Sequence, residues 1–138
     1  MKPCARALLM ASALAAIGPD AASADDVAFT LTTRTARLDV PVASKPVAVS
    51  IMNTKTSQAM IAIRLEPALS ERLCLMTRQG VGGPMWLHVG CDMVTSVVVG
   101  SPVCEGMFNV SGGFSKAQAE DYLRRMKQGA PPCAELKK

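Results

Sequence analysis

The sequence predicts an α+β fold that is predominantly antiparallel β, with five to seven strands and one C-terminal α-helix in a small disulfide-bonded single domain. Three observations support this prediction. Short runs alternate between apolar and polar residues through most of the chain, as half-buried strands do. The spacing of the apolar residues becomes that of a helix only near the C-terminus. Of the five cysteines, four follow the N-terminal segment, and an even number is typical of the disulfide framework of a small exported domain.

Residues 1–24 have the features of a cleavable secretory signal peptide. Lys2 and Arg6 supply the positive charge that precedes an apolar segment, residues 7–18. As a helix this segment would extend about 18 Å, which is too short for a hydrocarbon core of about 30 Å. A membrane anchor is therefore not expected.

A pattern of small residues ends at Ala24, so we expect cleavage after Ala24 and a mature domain spanning residues 25–138. Cys4 would leave with the signal peptide. No later run is long and apolar enough to suggest stable membrane insertion after cleavage. The expected location is the bacterial periplasm or the extracellular medium, between which the sequence does not distinguish.

The first half of the mature chain contains the alternation that strands require. Residues 27–31 begin the pattern, and residues 38–42 are compatible with a further strand at an edge. Residues 47–52 and 60–65 are predicted to pair as a hairpin across a polar turn. One face of the second of these strands carries Ile61, Ile63 and Leu65.

A second hairpin is predicted around a glycine-rich turn. Strands are expected at residues 73–77 and 85–89, after a short interruption where one helical turn could begin at Pro67. A two-residue turn centred on Gly82 and Gly83 suits the positive φ angles of tight hairpins, and it places Cys74 directly opposite Cys91. This register favours the disulfide Cys74–Cys91 and, by elimination, Cys104–Cys133, although a longer turn would shift the register.

The last third of the chain contains the strongest strand and the helix. Residues 93–99, with the sequence MVTSVVV, favour a strand, and residues 103–110 favour a further one before a loop at two glycines. Ser115 and Gln118 match a capping box, which predicts a helix over about residues 116–128. The buried stripe of this helix comprises Ala119, Tyr122, Leu123 and Met126.

Composition and motif content predict no cofactor, no metal site and no nucleic-acid partner. The net charge of +4 is small, and the basic residues are scattered rather than grouped. The cysteine spacing lacks the paired pattern of zinc sites, and oxidised cysteines are not metal ligands. The single histidine, His88, has no recognisable nucleophile near it in the sequence.

Two classes of function remain. The first is an exported, non-enzymatic protein-binding domain of the bacterial envelope, such as an inhibitor or immunity protein, a chaperone, or a subunit of a secreted complex. Its partner would be another protein, which the sequence does not identify. The candidate binding residues are Trp86, Gly82, Gly83 and His88, because a large aromatic beside a glycine-rich turn can anchor a partner, unless Trp86 is simply part of the core. The alternative is a small exported hydrolase that uses His88 with a nearby carboxylate.

Overall fold

Two antiparallel sheets and two helices form the framework of the domain in residues 26–53 and 58–136, which are those that the computed structural model describes. One sheet has four strands in the order β2-β1-β5-β6, and the other has three in the order β3-β4-β7. The strands are β1 (Val27–Thr32), β2 (Arg37–Pro41), β3 (Val47–Asn53), β4 (Gln58–Arg64), β5 (Pro84–Val89), β6 (Asp92–Val98) and β7 (Met107–Ser115). The helices are α1 (Pro67–Gln79) and α2 (Lys116–Gln128). This architecture confirms the predicted α+β class. The predicted signal peptide lies outside the described residues.

Strand β1 is one of the two inner strands of the four-stranded sheet and is buried along its whole length. It pairs with β2 on one side and with β5 on the other. Phe29 and Leu31 point to the face that packs on the core, beside Val40 and Leu38 of the neighbouring strand. Both faces of this strand are buried, and its polar residues Thr30 and Thr32 are buried as well.

Strands β3 and β4 pair with each other, as the sequence predicts. Val47 pairs with Arg64 at one end of the ladder, and Asn53 pairs with Ala59 at the other. The turn residues 54–57 lie outside the described part. The face that the alternation predicts to be apolar is buried, because it packs on the core, and it consists of Ile61, Ile63 and Leu65.

Helix α1 corrects the prediction of a strand at residues 73–77. Leu69, Leu73 and Met76 recur at helical spacing and are buried on one face. Pro67 occupies the first turn, where its missing N–H is not needed. The alternation in residues 73–77 fits a strand equally well over so short a length, so local pattern could not separate the two. The helix extends the single turn expected at Pro67 to 13 residues.

The second hairpin joins β5 to β6 rather than residues 73–77 to 85–89. Val89 pairs with Asp92, so the two-residue turn is Gly90-Cys91. Gly90 has a φ of 63°, the left-handed conformation that such turns require. Gly82 and Gly83 instead belong to the connection between α1 and β5. Gly112 and Gly113, which are expected to form a loop before α2, lie within β7.

The disulfides differ from the predicted pairing for the same reason. Cys74 is bonded to Cys104, and Cys91 is bonded to Cys133. The predicted pairs required Cys74 to lie on a strand opposite Cys91, but Cys74 is on α1 and Cys91 is at the tip of the β5–β6 hairpin. The first bond therefore ties α1 to the segment before β7, and the second ties the hairpin tip to the C-terminal tail.

Helix α2 is confirmed at residues 116–128, with the predicted caps. The Ser115 hydroxyl accepts a hydrogen bond from Gln118 N (3.2 Å), and Ser115 N donates one to Gln118 Oε1 (2.8 Å). The helix ends at Gln128, and Gly129, with a φ of 75°, caps its C-terminus. Ala119 and Met126 are buried against the core, and Tyr122 and Leu123 are partly buried beside them.

Candidate binding surface at the sheet edges

Trp86 and His88, two of the predicted binding residues, lie on β5 and alternate with its core-facing residues. His88 is opposite Thr30 of β1, and its side chain is fully enclosed, with 0% exposed. Trp86 is half-buried and opposite Thr32. A buried imidazole cannot touch a partner or a substrate in this conformation.

The carboxylate in register with His88 two strands away is already used within the sheet. Asp39 of β2 accepts a hydrogen bond from the Thr30 hydroxyl (2.7 Å) and forms an ion pair with Arg37 Nε (3.0 Å). Thr30 thus lies between the histidine and this carboxylate in the order of the strands. The arrangement serves to satisfy polar groups on the sheet.

Gly82 and Gly83 extend the β5–β6 ladder by one step. Gly82 N donates to Val99 O (2.8 Å), and Val99 N donates to Gly83 O (2.9 Å). Gly82 has a φ of 88°, which favours glycine there. Both glycines border a shallow groove of about 370 Å³ together with the β1–β2 loop. Neither Trp86 nor His88 lines this groove, so the four predicted binding residues do not form one surface.

Strand β6 is an edge that no strand in the described part of the chain covers. Its exposed apolar side chains are Met93 (42% exposed), Val97 (42%) and Val98 (73%). No charged residue occurs from Met93 to Cys104. Proteins usually protect such edges with charges, prolines or bulges because an open edge can pair with another chain.

The opposite edge of the same sheet has that protection. Strand β2 contains Arg37 and Asp39, which form an ion pair, and it ends in Pro41. These residues hinder the addition of another strand through charge and through a missing N–H. Within this sheet, β6 from Met93 onward thus lacks the charges and the proline that β2 has.

The backbone groups that β6 offers can be assigned from the ladder. Val99 directs both its N–H and its C=O towards the Gly82–Gly83 segment. Alternate residues of an antiparallel strand direct these groups to opposite sides. Val98 and Ser96 therefore direct theirs away from β5, and Pro84, opposite Val98, has no N–H to offer.

Strand β7 is the corresponding edge of the three-stranded sheet, and the two edges approach each other at one point. The Thr95 hydroxyl donates to Ser111 O (3.2 Å). A Cβ atom on Gly112 would lie 2.9 Å from Thr95 Cβ, so only glycine permits this approach. Beyond it lies a small cavity of about 40 Å³ between the edges, lined by Leu31, Met85, Leu87, Thr95, Val97, Phe108, Asn109 and Val110. We call the exposed edge of β6 together with this cavity the edge groove.

The sequence showed β6 as the strongest strand but not as a site. A signal was present, since a run of β-branched residues without a charge is what an aggregation-prone edge looks like. The same composition is also typical of a fully buried central strand. Only the sheet order decides between these two interpretations.

The described residues contain no group of three or more His, Cys, Asp or Glu side chains placed to hold a metal. Within that same part of the chain, neither helix has both the length and the apolar character needed to cross a bilayer. Cys74, Cys91, Cys104 and Cys133 are all in disulfides, which fit a protein exported to an oxidising compartment.

Comparison with known proteins gives a fold likeness without a family. No family model matches the chain, and no curated protein sequence matches it. A solved structure of SecDF, a membrane component that enhances protein export, is similar, with a TM-score of 0.53 at 15% identity. The match covers 72% of this chain and 46% of the other, so this chain corresponds to less than half of that structure. The likeness concerns the fold alone.

Proposed function

We propose that this chain is an exported, non-enzymatic protein-binding domain that adds an extended segment of another polypeptide to the open edge of β6. The observation that carries the proposal is the uncharged edge from Met93 to Val99, with Val97 and Val98 exposed. In strand addition, backbone hydrogen bonds supply affinity and neighbouring pockets supply selectivity. The edge groove offers both elements.

The backbone groups available to such a segment are the N–H and C=O of Ser96 and of Val98. Val97 lies on the core-facing side, where it borders the small cavity next to Phe108. A side chain of the added strand that points to this side would contact apolar atoms. The disulfides hold the framework in place, which reduces the entropy lost on binding.

The chemistry of the edge favours a partner segment that is extended, uncharged and rich in β-branched residues. A charged segment would lose hydration without gaining an opposite charge. Such segments are exposed in a polypeptide before it folds, so a chaperone-like role fits the edge better than inhibition or immunity. The similar SecDF structure belongs to a protein that enhances protein export, which agrees with this context. We propose the periplasm or the extracellular medium as the location.

The hydrolase alternative depends on His88, whose imidazole is fully buried. General base catalysis requires contact with the reacting group. We therefore favour the binding role over catalysis.

The proposal is tested by replacing Ser96 with proline. The outward N–H of Ser96 is not used in the β5–β6 ladder, so Ser96→Pro removes a donor from the open edge while the sheet stays paired. We expect affinity for an extended peptide of about six alternating Val and Thr residues to fall about tenfold. Fluorescence anisotropy with a labelled peptide measures this change.

Ser96→Ala is the matched control, because it keeps the N–H and removes only the hydroxyl. The peptide affinity of this variant should equal that of the parent protein. In the parent protein, the Ser96 and Val98 amides should gain protection from hydrogen exchange when peptide is added. Equal peptide affinity in the proline and alanine variants would contradict strand addition at β6. Self-association through this edge, seen as a dimer in sedimentation, would instead identify a second copy as the partner and overturn the proposal.

A further inference from the structure

A separate cavity of about 200 Å³ opens beside the C-terminal half of α2, away from the edge groove. Apart from one lysine, its lining is apolar and consists of Phe29, Pro46, Val47, Ile63, Leu123 and Met126. Phe29, Ile63 and Met126 are buried, whereas Val47 is 45% exposed. The cavity therefore leads from the surface into the core between α2 and the β3–β4 hairpin.

The size of this cavity exceeds ordinary packing defects. Protein interiors contain few voids larger than a water molecule. An apolar cavity of about 150 Å³ can stay dry and bind benzene, and in proportion the present volume accepts about eight carbon atoms. An apolar chain of that length suits it better than water does.

Lys127 is the remaining lining residue, and it is exposed. Among the described residues, no carboxylate lies within ion-pair distance of its ammonium group. By contrast, Arg125 in the same turn binds Asp92 (2.9 Å) and Val89 O (3.1 Å). The apolar stem of a lysine can lie along an apolar wall while its charge stays in water. The cavity thus combines an apolar interior with a cation at its border.

We propose that this cavity binds a short-chain carboxylic acid in its ionised form, with an alkyl chain of about eight carbons inside and the carboxylate beside Lys127. The match is one of charge and of volume. The chains of membrane phospholipids are longer than the cavity can enclose, so the source is the free acid. This site differs from the protein-binding edge in position and in ligand.

Titration of octanoate and of octanol into protein with isotope-labelled methionine and isoleucine methyl groups tests the proposal. Octanoate should shift the methyl resonances of Met126 and Ile63. Lys127→Gln should weaken octanoate binding about two- to fivefold, since an exposed ion pair contributes little. Octanol binding should be unchanged in that variant, because octanol has no charge.

Val47→Phe tests the location by placing a larger side chain in the cavity, and it should abolish the binding of both ligands. Val81→Phe is its control, because Val81 is 50% exposed and does not line the cavity. Thermal unfolding of each variant verifies that it is folded. Absence of methyl shifts, equal octanoate affinity in Lys127→Gln, or undiminished binding in Val47→Phe would each overturn the proposal. If the protein sediments with anionic phospholipid vesicles and Val47→Phe prevents this, the ligand is a membrane lipid. That result would overturn the assignment of a free acid.

Discussion

His88 illustrates how the surroundings of a residue decide its role. The lone histidine of a chain attracts a catalytic hypothesis, because imidazole titrates near neutral pH. In this fold His88 is fully buried on β5, where it pairs with Thr30 of β1 and Met93 of β6. Its side chain therefore has no contact with solvent.

We predict that His88→Ala lowers the free energy of unfolding by about 3 kcal/mol, because it leaves a cavity in a close-packed layer. Urea denaturation monitored by circular dichroism measures the change. Arg34→Ala is the control, since Arg34 is exposed and a substitution there should alter stability by less than about 0.5 kcal/mol. A His88→Ala protein as stable as the parent would show that the imidazole is not part of the packing.

At the scale of elements, α2 and β6 differ in how much of their role is local. Helix α2 contains its own start signal, its buried stripe and its stop signal within a single segment. Strand β6 is as clear in composition, but its importance lies in having one neighbour instead of two in the described sheet. A strand has no property of its own that makes it an edge.

The cap of α2 gives an element-scale prediction. Ser115→Ala removes the acceptor for Gln118 N and should lower the free energy of unfolding by about 1 kcal/mol. Denaturant unfolding provides the measurement. Ser101→Ala, at an exposed serine outside the helices and strands, should leave stability unchanged. If both variants unfold alike, the capping box does not stabilise the folded protein.

At the scale of the whole molecule, the C-terminal tail is joined to the four-stranded sheet by several contacts. Ala130 exchanges backbone hydrogen bonds with Val27 (2.7 and 3.0 Å), and Cys133 O accepts from Arg37 (2.9 Å). The Cys91–Cys133 disulfide adds a covalent link to the hairpin tip. The tail thereby connects distant parts of one sheet.

Peptide mapping of the oxidised protein should recover Cys74 linked to Cys104 and Cys91 linked to Cys133.

Replacing Cys91 and Cys133 together by serine should lower the free energy of unfolding by about 4 kcal/mol, because the bond closes a loop with a sequence separation of 42. Hydrogen exchange at Ala130 should increase as the tail detaches.

The variant without Cys74 and Cys104 is the matched control. It should lose similar stability, since the separation is 30, but it should keep the tail amides protected. Recovery of the Cys74–Cys91 pair in the mapping would contradict the structure. So would equal exchange at Ala130 in both double variants.

The sequence by itself determined the features whose causes are local. Helix α2, its capping residues and the buried face of Ile61 and Ile63 follow from spacing within one segment. The β3–β4 hairpin also follows, because its strands are adjacent in the chain and separated by a polar turn. For the candidate site, the sequence identified the strand of the edge groove but not its exposure.

Only the tertiary structure decided which distant segments meet. The turn at Gly82-Gly83 and the turn at Gly90-Cys91 could each have formed a hairpin with β5. The segment before the first of these turns instead packed as α1, because Leu69, Leu73 and Met76 bury one helical face. That choice placed Cys74 on a helix and Cys91 at a hairpin tip, and it left β6 at an edge. Burial summed over the whole core selects among such alternatives, and this sum depends on contacts that no single segment contains.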